Sequence, residues 1–226
     1  VLARGPEAAM SYTVSKLSNA AGKMAKLLAT NFYRDGQGTV SGTQHVDGLL
    51  AACDDGNTYP SYGGVTRSEL GVANGQMNQG INGYIATQAA FNMKAMQTAF
   101  GASYFGNEHV DMIVTTQAVW NIIYNKILPQ QRFQESDNDV GKIGFSSLRW
   151  NGVSVVIDQY CPAGYIFGIN TNYLQFWTST LPRYQFGFTG FKEAQGTDDM
   201  VGQYLWSGNY LFTSPRMFFQ QHGVVG

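Results

Sequence analysis

The chain has 226 residues, with 14 Lys+Arg against 15 Asp+Glu and a formal net charge of −1. That length buries one substantial core, or two lobes that share a sheet, and the balanced charge excludes a general pull toward nucleic acid or anionic membrane, leaving room only for a local basic patch. Charged residues make up 13% of the chain and aromatics 14%, where soluble domains usually carry about 25% charge. A skin largely covered by neighbours fits this composition, because interface cores lose charge and gain aromatics; so does an ordinary β-rich domain with a neutral surface. Cys53 and Cys161 lie far apart without CxxC spacing, which points to free thiols rather than a disulfide framework or zinc site. No run of about eighteen apolar residues or signal peptide is present, so no membrane partner is expected. The first residue is Val1, as in a processed product or a fragment.

The first element is a helix. Pro6 suits the first helical position and Glu7 the positive end of the helix dipole. Met10, Val14, Leu17, Ala21, Met24 and Leu28 then form one apolar stripe, with Lys16, Lys23 and Lys26 off it. From Pro6 to Arg34, where Asp35-Gly36 ends the run, the helix would be roughly 40 Å long. An amphipathic helix lying on a sheet is the plainest reading, yet that length is too great for a compact domain to hide. Residues 36–48 form a turn-rich connection with a possible hairpin, and residues 49–55 a short apolar stretch. Residues 57–68 form a loop carrying Tyr59, Tyr62 and Arg67, and residues 71–83 are rich enough in Gly, Asn and Gln to be expected exposed and mobile. The steps Ile85, Ala89, Met93, Met96 and Phe100 predict a helix over residues 84–100.

Residues 110–115 read as a strand and 117–128 as a helix, with Thr116 as N-cap and Pro129 as stop. Residues 130–142 are polar and read as a loop. The stretch from Leu148 to Trp177 reads as the centre of the core: three short strands in a row, apolar on both faces and so covered on both. Asn151-Gly152, Pro162-Ala163-Gly164 and Asn170-Thr171-Asn172 supply its turns. Residues 183–191 alternate as a half-buried strand with Tyr184, Phe186 and Phe188 on one face. Residues 200–206 and 210–220 read as two strands joined through Ser207-Gly208-Asn209 as a hairpin.

Chemistry is thinly represented. His45, His109 and His222 share no ligand spacing with one another; His109 beside Glu108 is the least poor catalytic candidate. There is no GxSxG, and Cys161 before Pro162 reads as a small buried thiol. The Gly-rich segment lacks the lysine of a phosphate loop. Asp54-Asp55 and Asp198-Asp199 read as turn or surface residues, although acid pairs for glycoside hydrolysis can lie anywhere in a sequence. Tyr59, Tyr62 and Arg67 could stack on nucleic-acid bases, or simply pack.

Four passages in this order carry a resemblance: the long helix EAAMSYTVSKLSNAAGKMAKLLATNFYRDG, then HVDGLLAACDDGNTYPSYGGVTRS, VDMIVTTQAVWNIIYNKILPQQRF and LRWNGVSVVIDQYCPAGYIFGINTNYL. Together they resemble the major capsid proteins of tailed bacteriophages, over nearly the whole chain. The resemblance implies an α+β, HK97-like capsid fold. A long spine helix and β-strands would make a peripheral domain from residues 1–47 and 179–226, and a central sheet flanked by helices would make an axial domain from 48–178. It implies a non-enzymatic protein without cofactors that self-assembles into an icosahedral shell around double-stranded DNA. The implied partners are copies of itself in hexamers and pentamers, scaffold and portal proteins, and packaged DNA on the inner face. The place is the virion, after assembly in the host bacterial cytoplasm. Tyr59, Tyr62, Arg67, Asn78, Gln79, Arg132 and Phe133 are the subunit-interface candidates. Family members carry an N-terminal arm and an extended loop ahead of the spine, whereas five residues precede Pro6 here; removal by truncation or proteolysis is the expectation, leaving a chain that folds but assembles poorly. Glu69-Leu70 stands where an aromatic pair is expected. The alternative is a glycan-binding or glycan-hydrolysing α/β domain with exposed aromatics.

Overall fold

The computed structural model describes residues 6–36, 39–40, 43–44, 46–131, 148–196 and 200–225. Helix α1 spans Pro6–Asn31, roughly 39 Å at the usual rise, and begins at the expected proline. Strands β1 (Thr39–Val40) and β2 (Thr43–Gln44) pair as the short hairpin that the turn residues suggest. Next come α2 (Leu49–Ala52) and the small ladder of β3 (Ser61–Tyr62) with β4 (Val65–Thr66).

Strand β5 (Tyr84–Thr87) and α3 (Met93–Ala102) replace the single helix expected over 84–100. Two local signals explain the difference. Tyr84-Ile85 opens the segment with residues that favour a pleated surface, and Asn92 caps α3 by accepting from the Lys94 and Ala95 amides. Strand β6 (Met112–Thr115) feeds α4 (Gln117–Gln131), and the Thr116 hydroxyl accepts from the Val119 amide at 3.4 Å as an N-cap. The helix runs past Pro129, which removes one ladder bond near the helix end without stopping the helix.

Four more strands, β7 (Arg149–Trp150), β8 (Val153–Ile157), β9 (Ile166–Ile169) and β14 (Phe219–His222), join β5 and β6 at the centre. They form a six-stranded sheet in the order β5-β14-β9-β6-β8-β7. Strand β6 runs parallel to β8, β14 parallel to β5, and the other pairs are antiparallel. Side chains alternate across this sheet as a period of two requires. Ile113, Ile166 and Phe219 join Met96, Phe100, Val119 and Ile123 under α3 and α4. Val114, Phe167 and Phe218 join Tyr33, Leu49, Phe212 and Met217 on the opposite face. Both faces are covered around β9, whose four residues are all buried. At the end of β8, Val156 and Ile157 are exposed.

The third strand expected in this core, β10 (Leu174–Thr178), lies elsewhere. It pairs with β13 (Gly208–Phe212) in a separate two-stranded ribbon. Strand β11 (Gln185–Glu193) pairs with β12 (Met200–Trp206) in another. The expected hairpin through Ser207-Gly208-Asn209 is therefore a crossing between two ribbons. Gly208 makes it possible: a Cβ there would stand 2.2 Å from the Trp177 carbonyl oxygen. The strict alternation expected along β11 is broken at Phe186, which has φ of +62°, and by register shifts against β12. Strand β14 inserts between the edge strand β5 and β9.

Candidate assembly surfaces and the loop between them

Arg67 organises the loop around which Tyr59, Tyr62, Asn78 and Gln79 are arranged. It is fully buried. Its Nε donates to the Tyr59 carbonyl at 3.0 Å and its Nη2 to the Ala51 carbonyl at 2.5 Å. Nη1 donates to the Ile81 carbonyl and reaches Asn82 Oδ1 at 3.4 Å. The guanidinium lies 5.7 Å from the centre of the Tyr62 ring. One planar fork thus ties α2, the Tyr59 turn and the Gly-rich segment into a single unit. Burial lowers its pKa, and the nearby Asp54 carboxylate works against that.

The same unit absorbs the acid pair. Asp54 Oδ2 accepts from the Gly56 and Tyr59 amides at 2.8 and 2.9 Å. Both oxygens of Asp55 accept from Asn57, from its amide and from its side chain. Asp54 and Asp55 are turn residues, as expected, but buried ones rather than surface ones. They border a polar cleft of about 380 Å³ shared with Tyr59, Tyr165, Gln220 and His222. Three of their four oxygens hold the turn, which leaves little for acid–base work on a glycan.

The interface candidates separate into three groups. Arg67 and Tyr62 point into this chain, and the Tyr62 hydroxyl accepts from the buried Phe212 amide at 3.1 Å. Burial, the largest cause, pushes the Tyr62 phenol up to about 12. Tyr59 is half-buried, its hydroxyl donating to Asp35 at 3.2 Å, while Asn78 is half-buried and Gln79 exposed. Asn78 holds a left-handed backbone, φ +62°, and its amide donates to the Gly83 carbonyl at 3.2 Å. Arg132 and Phe133 lie outside the described residues. The Gly-rich segment is anchored at its far end, where Asn82 is fully buried and a Cβ at Gly83 would meet the Cys53 carbonyl at 2.6 Å.

Sequence reading missed the exposed apolar surface of the ribbons and helix. Trp177 is 61% exposed and Met200 69%. Phe176 stacks on Trp206 at 5.6 Å between centroids, so aromatic faces from both ribbons meet. Along α1, Leu17, Ala21, Met24 and Leu28 are half-buried while Val14 is 64% exposed. Between α1 and the β11–β12 ribbon runs a groove of about 370 Å³ lined by Tyr12, Leu17, Phe188, Phe191, Met200 and Tyr204. The signal was present in the exposed-face residues of β10 and β12, which lack the polar half expected of a solvated strand.

The two thiols, His109 and His222 are each held by burial or a hydrogen bond, while His45, Asp198 and Asp199 lie outside the described residues. Burial raises the Cys161 thiol to about 12 and pushes the Cys53 thiol higher, so neither supplies thiolate near neutrality. His109 Nδ1 donates to the Val110 carbonyl at 2.6 Å, and His222 pairs with the Thr87 hydroxyl at 3.0 Å. Among the described residues no three His, Cys, Asp or Glu side chains converge as a metal site, and no helix is long and apolar enough to cross a membrane.

A long half-covered helix, a mixed sheet buried on both faces and two outlying ribbons make up the HK97-like capsid fold. The chain is similar to the capsid asymmetric unit of cyanophage A-1(L), at 17% identity and a TM-score of 0.61, over 95% of this chain and 70% of that one. It is similar to the holo-SrpI encapsulin complex of Synechococcus elongatus PCC 7942, at 11% identity and a TM-score of 0.54, over 99% of this chain and 68% of that one. A third likeness, at 12% identity and a TM-score of 0.53, is to the satellite phage P4 procapsid with its size determination protein, over 93% of this chain and 63% of that one. No family model matches the sequence. No curated protein matches it either.

Proposed function

We propose that the protein is a structural shell subunit, the major capsid protein of a tailed bacteriophage, whose copies assemble into a closed icosahedral container for double-stranded DNA. The observation that carries this reading is the likeness to a phage capsid subunit across 95% of the chain. The exposed apolar ribbons and the half-covered helix support it, because surfaces of that kind need neighbours to leave water. In this reading residues 1–47 and 179–226 form the periphery and residues 48–178 the axial body, with β14 returning to the six-stranded sheet and β10 leaving it for a ribbon. Hexamers and pentamers are the building units, and scaffold and portal proteins are the assembly partners. Gln79 and Asn78, on the outer turn of the Arg67 unit, remain interface candidates, as do Tyr59, Arg132 and Phe133. The protein carries no catalytic role and acts in the virion, after assembly in the host cytoplasm.

The likeness to an encapsulin complex over 99% of the chain favours a second reading, a subunit of an encapsulin-type particle. Expression of the intact gene product, followed by size exclusion and negative-stain microscopy, tests the shell. Closed particles or capsomers are expected, and a monodisperse monomer at high concentration refutes it. Nuclease-protected DNA inside the particles favours the virion reading over the second.

A further inference from the structure

The positive charge of this near-neutral chain is unevenly placed. From residue 8 to residue 34 there is no Asp or Glu, while Lys16, Lys23, Lys26 and Arg34 fall in that interval. At 3.6 residues per turn, the three lysines lie within an arc of roughly 80° on α1, spread over about 15 Å of its length. The half-buried Leu17, Met24 and Leu28 occupy the other side. Lys16, Lys23 and Lys26 are all exposed. With Ser18, Asn19 and Gly22 they share one open, solvent-facing side of α1. The Lys16 ammonium also lies over the Tyr12 ring, 5.2 Å from its centre, a cation–π contact that helps fix its position.

Gly22 is the independent observation. Glycine in a helix interior lowers helix stability relative to alanine. Packing among the described residues does not call for it, since nothing beyond its chain neighbours and the adjoining backbone of α1 comes within 4 Å of where its Cβ would stand. Glycine is also the residue that lets another backbone come close. Set beside three ammonium groups and two small polar side chains, it leaves a smooth, basic seat open to a ridge of negative charge.

We infer that this face of α1, Lys16, Lys23 and Lys26 around Gly22, seats the phosphodiester backbone of nucleic acid. The inference deepens the shell reading by naming the surface that meets the enclosed DNA, and it rests on that reading for the identity of its partner. Contacts of this kind are independent of sequence and release counterions in proportion to the phosphates neutralised.

The test uses the intact, unassembled protein and a fluorescent DNA duplex of mixed sequence, titrated by anisotropy at several salt concentrations. Binding can then fail while shells form, or persist while shells do not, so the two readings stand or fall separately. With three phosphate contacts, the log–log salt slope should be about −2.7, a loss of roughly 40-fold between 50 and 200 mM salt. The Lys16→Gln/Lys23→Gln/Lys26→Gln variant should lose at least about tenfold in affinity at low salt and flatten that slope toward zero. Gly22→Gln keeps the net charge and should raise the thermal midpoint while weakening binding several-fold. Far-UV circular dichroism confirms that both variants fold. Unchanged duplex affinity in either variant overturns the inference. So does low-salt self-association, abolished in the triple variant, without duplex binding, because the lysine face would then serve a second copy.

Discussion

Replacing Arg67 with Met should be the most costly single change in the loop region. The substitution keeps much of the side-chain volume and removes the fork. Three carbonyls, from Ala51, Tyr59 and Ile81, lose their donor, and so does Asn82 Oδ1. The buried Asp54 carboxylate loses its nearby positive charge. Breaking a buried charge partnership by removing one partner costs about 3–5 kcal/mol. For a chain of this size that corresponds to a fall of roughly 6–20 °C in the thermal midpoint, at about 2–4 °C per kcal/mol. Arg67→Lys keeps the charge but not the planar geometry, and should fall between Met and wild type. Urea denaturation followed by tryptophan fluorescence gives the free energy, and calorimetry gives the midpoint. An Arg67→Met protein within about 1 kcal/mol of wild type, with an unchanged denaturant slope, refutes the claim that this fork holds the loop.

Gly168 faces Phe219 across β9 and β14, and an added Cβ would lie 2.1 Å from that ring. Gly168→Ala should therefore cost about 1–3 kcal/mol or more by overpacking, with partial recovery in Gly168→Ala/Phe219→Leu measured as a double-mutant cycle in urea. The Tyr33 hydroxyl donates to Asp158 at 2.6 Å and ties the end of α1 to the end of β8; Tyr33→Phe should cost about 1.5–3 kcal/mol, read from the same denaturation curves. Stability should also fall in alkali. The Cys161 thiol is raised from 9.0 to about 12, and the Tyr59 and Tyr62 phenols from 10.0 to about 12. Burial is the largest cause in each case. The native state holds these protons more tightly than the unfolded chain does, so their contribution is complete below about pH 9 and lost as pH rises toward 12. Thermal midpoints across that range, with phenolate absorbance as the titration signal, check the sign; a midpoint that rises above pH 10 contradicts it.

The sequence made the local elements legible where one physical rule dominated. Pro6 placed the start of α1, Thr116 the cap of α4, and the β-branched run from Ser154 to Asp158 the strand β8, within one residue at each end. What it hid was pairing. Strands β8 and β9 follow one another in the chain, yet each pairs with β6 rather than with the other, because β6 sits between them in the sheet. The hydrophobic pattern of β10 looks like a core strand, and only its partner, β13, reveals that it lies in an exposed ribbon. Phe218 and Phe219 face opposite cores, which gives no cue that the strand Phe219 opens inserts between β5 and β9. The burial of Arg67 was equally unreadable: a charged residue in a Gly- and Tyr-rich loop looks solvated until three separate carbonyls are seen to converge on it. The resemblance supplied what periodicity did not, the order of elements as a whole.

The distribution of unfinished surface gives the molecule its logic. Around β9 the six-stranded sheet is covered on both faces, and all four residues of that strand are buried. The two ribbons are different. Two-stranded ribbons are marginal in water without further cover, and these carry Trp177, Phe176, Met200 and Phe191 outward. A chain selected to remain alone would have placed charge on such edges, and only 13% of its residues are charged. The charge it does carry on α1 is concentrated on one face instead of spread for solubility. On the proposed shell reading, the apolar ribbons are the edges that meet copies and the basic face of α1 is the side that meets DNA.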